Sequence, residues 1–72
     1  MTVPPILMSG VLVVRRDDTG STLWIRADRV VAVTAAPSPD GADLTAIDTG
    51  NGDPWIVRGH VSTIVSTLWR MP

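Results

Sequence analysis

Short apolar and β-branched runs, each closed by a cluster of Gly, Pro, Asp, Asn or Ser, set the pattern of the chain. Such runs read as strands joined by tight turns. Ile6 to Val14, interrupted by Ser9 and Gly10, predicts a buried strand early in the domain. Val11 to Arg16 and Thr22 to Arg26 flank Asp17-Asp18-Thr19-Gly20-Ser21 and predict a hairpin, with Leu23 and Ile25 on one face and Trp24 on the other. After an Ala27-Asp28-Arg29 turn, Val30 to Ala35 predicts a third strand. Leu44 to Asp48 follows the loop Pro37 to Gly41, and Trp55 to Arg58 follows the Asn51-Gly52 turn.

From His60 onward the residue types favour a strand but the period does not. Val61, Ile64, Val65 and Leu68 recur at i, i+3, i+4 and i+7, with Ser62, Thr63, Ser66 and Thr67 opposite them. Strand alternation would mix Val61 and Val65 with Thr63 and Thr67 on one face and bury neither set well. The period therefore predicts an amphipathic helix over His60 to Trp69, too short to stand alone and held by laying its stripe on the sheet, with Trp69 flanking the core. The expected fold class is α+β: a small antiparallel sheet of about five strands with one C-terminal helix, in one domain covering residues 1–72.

At 72 residues and 44% hydrophobic content the chain supports one thin core. It has no Cys and one His, which removes disulfides and a single-chain structural zinc site and leaves self-association as the expected reinforcement. Six Arg and seven Asp give a net charge of −1 without a basic block, a poor electrostatic footprint for nucleic acid or an anionic membrane. Lys, Glu, Phe, Tyr and Gln are missing altogether, a codon bias expected of a high-GC bacterium such as an actinomycete or of its phage. No positive charge precedes the first apolar stretch, and no run approaches the ~20 apolar residues of a spanning helix, so neither a secretory leader nor an anchor is expected and the location expected is cytoplasmic.

His60 is the one side chain expected to titrate near neutrality, but catalysis would need a hydroxyl such as Ser62 beside it, a carboxylate orienting it and a pocket. It is expected to cap the helix or to lie on the surface. Ala46-Ile47-Asp48-Thr49-Gly50 resembles the loop of retroviral-type aspartic proteases. Asn51 stands where that loop has a small residue, and a turn is expected instead. Ile56-Val57-Arg58-Gly59 resembles the second signature of Sm-like RNA-binding proteins, and that resemblance would make Arg58, Gly59 and His60 RNA contacts in an oligomeric ring. A broader pattern runs from Leu23-Trp24-Ile25 through Asp28-Arg29-Val30, Val33, Ile47, Asn51-Gly52 and Trp55-Ile56-Val57 to the stripe Val61, Ile64, Val65 and Leu68. It resembles the small flagellar and swarming-motility proteins, which implies a short non-enzymatic chain. Arg26, Ala27 and His60 depart from the Asn, Pro and Ser usual in that family.

Three Trp carry all the aromatic burial, at roughly 200 Å² each. One helix covers one side of a sheet, so Trp24 or Trp55 is expected at a subunit interface. The expected function is non-enzymatic protein binding, as an accessory or regulatory module encoded by a phage and acting on a host protein. No cofactor or metal is expected. The expected partners are an unidentified protein and further copies of the chain, and the Sm-like RNA-binding oligomer is the alternative.

Overall fold

Ser9 and Gly10 both adopt positive φ, 53° and 76°, and fold the chain back between β1 (Ile6–Met8) and β2 (Val11–Arg15). Two consecutive residues of this kind make the two-residue turn whose twist matches a hairpin. The computed structural model describes residues 5–69. In place of one early buried strand, Ile6 to Val14 is thus a hairpin whose first strand is exposed. The Ser-Gly pair between two apolar runs was the signal for it.

β2 pairs with β3 (Thr22–Arg26) as expected, Leu12 opposite Ile25 and Val14 opposite Leu23. At the far end the Arg16 N–H donates to the Ser21 carbonyl at 2.9 Å and closes the turn. A 3₁₀ turn at Ala27–Arg29 then redirects the chain. The Val30 N–H still bonds the Ala27 carbonyl at 3.3 Å, so β4 begins at Ala32 and not at Val30 (Ala32–Ala36). β5 (Leu44–Asp48), β6 (Trp55–Arg58) and α1 (Val61–Leu68) follow.

These elements form an α+β fold with two antiparallel sheets, ordered β1-β2-β3 and β4-β5-β6, and not one sheet of five strands. The 3₁₀ turn is the reason: it carries the chain away from β3, so β4 pairs with β5 and never with its predecessor. The sheets meet where β2 runs past its own partner. Arg16 bridges to Val57, and the Asp17 N–H donates to the Ile56 carbonyl at 3.0 Å.

Cross-strand partners share a face, so the register decides what is buried. Leu12, Val14 and Ile25 of the first sheet point to the same interior as Ile47 and Val57 of the second, and Ile64 and Leu68 of α1 join them. The helix touches β1, β4 and β5, reaching across from one sheet to the other. Its stripe is as the period requires, but it ends at Leu68. Trp69 is its C-cap, and its side chain is 51% exposed instead of flanking the core.

Ile64 has no accessible surface and is the helix residue most enclosed by both sheets. Ile64→Ala is expected to cost about 2–5 kcal/mol in urea denaturation, a large part of the stability of a domain this small. Ile64→Asp, which buries an unpaired charge, is expected to abolish the cooperative transition.

Candidate functional site

Gly59 joins β6 to α1 with a φ of 130°, in the region that favours glycine. Its N–H donates to the Asp43 carbonyl at 2.9 Å, and its own carbonyl accepts from Thr45 Oγ1 at 2.8 Å. A Cβ here would meet Ile64 Cδ1 at 3.4 Å. These bonds give Gly59 a structural task. Thr45 is fully buried, and its hydroxyl is satisfied by that one bond.

His60 is the N-cap of α1: the Ser62 N–H donates to its Nδ1 at 3.1 Å, and Ser62 Oγ lies 2.8 Å from the same nitrogen. A hydroxyl therefore does stand beside the imidazole. Both contacts use Nδ1 within one helical turn, and among the described residues no carboxylate bonds the ring to orient it as a base. This is cap chemistry. Arg58 is exposed and reaches the Asp17 carbonyl at 3.5 Å. Arg58, Gly59 and His60 do come together, along a depression of about 620 Å³, but Asp17, Asp40 and Asp43 line it with them.

Asp48 Oδ1 accepts from the Gly50 N–H at 2.8 Å, so Asp48-Thr49-Gly50 is a turn stapled by its own carboxylate. Among the described residues no group of three or more His, Cys, Asp or Glu could hold a metal ion, and no helix is long and apolar enough to cross a membrane.

The two candidate interface tryptophans lie on different surfaces. On the outer face of the first sheet, Ile6, Val13 and Trp24 stand side by side across three strands, and the next row holds Met8, Val11 and Arg26, whose guanidinium pairs with Asp28 at 3.0 Å. Trp24 is 67% exposed and Met8 61%, and Val11 and Val13 are half-buried. The composition left Trp24 and Trp55 as equal candidates, and the companions Ile6 and Met8 of Trp24 became visible only with the hairpin.

Trp55 shares the inner face of the second sheet with Ile47 and Val33, at the edge, and is 37% exposed. The Arg16 guanidinium lies over its ring, 5.4 Å from the centroid, and holds Asp18 Oδ2 at 2.8 Å. Around this pair opens a groove of about 840 Å³ between the β2–β3 turn, the loop at Pro37 to Asp40 and the approach to β6. Asp17, Asp18, Asp40 and Asp53 line it together with Pro37, Pro39, Pro54 and Ile56.

Two of these carboxyls titrate below the ordinary value. Partial desolvation pushes Asp18 up, but hydrogen bonds from Arg16 and the Thr19 N–H, with the Arg16 charge, bring it below 3.8. Asp40 is lowered by the Ser38 hydroxyl and then by the Ala42 N–H. Both stay ionised at neutral pH.

No family model matches the chain, and neither a curated protein nor a solved structure matches it. The class its geometry defines is that of a small α+β domain with two three-stranded antiparallel sheets and one C-terminal helix.

Because His60 caps the helix, His60→Ala is expected to lower stability by about 1 kcal/mol in urea denaturation, and His60→Asn to restore most of it. The lowered carboxyls stabilise the fold above their unfolded value near 3.8 and stop doing so as pH falls through the folded values. Asp40→Asn is therefore expected to lower the thermal midpoint at about pH 7 and to lose less than the parent on acidification to about pH 2, followed by circular dichroism.

Proposed function

We propose that this chain is a non-enzymatic protein-binding module whose contact surface is the outer face of β1, β2 and β3, and that its first partner is a second copy of itself. The observation that carries the reading is Trp24, two-thirds exposed and continued in register by Val13 and then Ile6. An exposed apolar sheet face in water is costly, and a large exposed aromatic on such a face, here on its edge strand β3, has the character of an interface hot spot. The helix lies on the interior side of the sheets and cannot cover it. A two-fold neighbour would bury the same face of both copies, Trp24 included. The chain's small core, without disulfides, gives association a stabilising role.

The competing reading, an Sm-like RNA-binding oligomer through Arg58, Gly59 and His60, finds no support in their surroundings. Three carboxylates share that depression, and a phosphate placed there would meet repulsion. His60 is engaged as a helix cap and Gly59 as a turn. No constellation of nucleophile, oriented base and anion-stabilising donors occurs among the described residues to argue for an enzyme.

Sedimentation over a micromolar range is expected to show an oligomer, with a melting temperature that falls on dilution. Trp24→Ser is expected to weaken association by about 2 kcal/mol, roughly 30-fold, with the circular dichroism spectrum retained. A monomer at every concentration with an unchanged melting temperature would remove the second copy as partner. Tight binding of a fluorescent oligouridine, lost in Arg58→Ala, would transfer the reading to RNA.

A further inference from the structure

Charge is segregated in this chain more than its net value of −1 suggests. Asp17, Asp18, Asp40 and Asp53 line the groove at Trp55, and Asp43 joins them in the adjoining depression, which shares Asp17, Asp40 and Leu44. Five of the seven carboxylates thus stand on one connected surface. Arg15, Arg26 and Arg29 line neither depression. Of the two arginines that do, Arg16 is paired with Asp18 and Arg58 is directed at a backbone carbonyl. Among the described residues no cation lies within salt-bridge distance of Asp17, Asp40, Asp43 or Asp53.

The groove is more than an acidic patch. Three prolines, Ile56 and the Trp55 ring give it an apolar lining alongside the carboxylates. It also already contains one example of what it can hold: the Arg16 guanidinium, set against the indole and bonded to a carboxylate at 2.8 Å. A guanidinium is weakly hydrated and planar, and its fork of N–H donors matches a carboxylate, so carboxylates set among apolar side chains suit it better than they suit a lysine ammonium.

We propose that the groove around Trp55 docks an arginine-bearing, apolar peptide segment of a partner protein, its guanidinium groups taken by Asp17, Asp53 and Asp40 and its apolar side chains by the proline and tryptophan lining. Charge complementarity selects this occupant: a basic segment gains from the unpaired carboxylates, and an acidic segment or a nucleic acid is repelled by them. The site lies on a different surface from the Trp24 face and does not depend on self-association.

The probe is a fluorescein-labelled peptide of about ten residues alternating Arg and Leu, with Glu replacing Arg in the control. Saturable binding of the Arg peptide alone is expected, weakening at least ten-fold between about 50 mM and about 300 mM salt. In two-dimensional NMR the Trp55 indole N–H should shift on titration and the Trp24 indole should not. Asp17→Asn combined with Asp53→Asn should weaken binding about ten-fold, and Trp24→Ser, which tests the self-association surface, should leave it unchanged. Should the double variant fail to fold by circular dichroism, the salt dependence and the indole shifts of the parent chain decide. The proposal is overturned by absence of saturable binding, by equal affinity for the Glu peptide, by shifts centred on Trp24, or by competition from spermidine as strong as from unlabelled peptide. That last result would mean that charge alone is read and the apolar lining is not used.

Discussion

The whole structure depends on the junction at Arg16 and Val57. Two three-stranded sheets could be independent meanders, each with an apolar inner face left open to water. Here the end of β2 bridges to β6, and the Asp17 N–H bonds the Ile56 carbonyl, so the inner faces of the two sheets are held against a common interior. Leu12 and Ile47, from different sheets, are both completely enclosed as a result. The helix then needs only Ile64 and Leu68 to complete the interior.

A second hinge, at Gly59, places that helix. Thr45 and Asp43 hold the Gly59 backbone from the β5 side, and His60 supplies the first cap immediately afterwards. The residues that looked most like a nucleotide-binding signature are thereby occupied in turning a strand into a helix. Their types are common to both tasks, because a sharp turn and a close approach to a ligand both favour glycine, and the lone pair of an imidazole nitrogen can accept a hydrogen bond as a cap or a proton as a base.

One shared interior also leaves surfaces uncovered. With both inner faces and the helix committed, nothing in the described residues remains to cover the outer face that carries Ile6, Val13 and Trp24. The opposite consequence appears at Trp55, which the register assigns to an inner face but which sits at the sheet's edge, where Arg16 and the acidic loops meet it. One tryptophan stands on a bare apolar face and the other at the side of a charged groove, so the proposed roles of the two differ.

Local pattern determined much of this. The strands at Leu44–Asp48 and Trp55–Arg58, the hairpin over Thr22–Arg26 and the helical stripe of Ile64 and Leu68 all follow from alternation, turn residues and a period of 3.6, which act over a few neighbours and are written in adjacent residues. That Trp24 stands on the face opposite Leu23 and Ile25 was legible for the same reason, but which of Trp24 and Trp55 is left more exposed was decided by the fold. Tertiary structure decided the division into two sheets, since whether β4 pairs with β3 depends on where the Ala27–Arg29 turn sends the chain. It decided that Trp69 lies outside the core, because the helix stops at Leu68 and the next residue leaves its register. The acidic groove was likewise invisible in the chain: Asp53 is a neighbour of Trp55, but Asp17 and Asp40 are far from it in sequence, and only the meeting of the β2–β3 turn with β6 and the loop between β4 and β5 brings them around that ring. Contacts between distant segments depend on the path of the backbone in space, which no local period encodes.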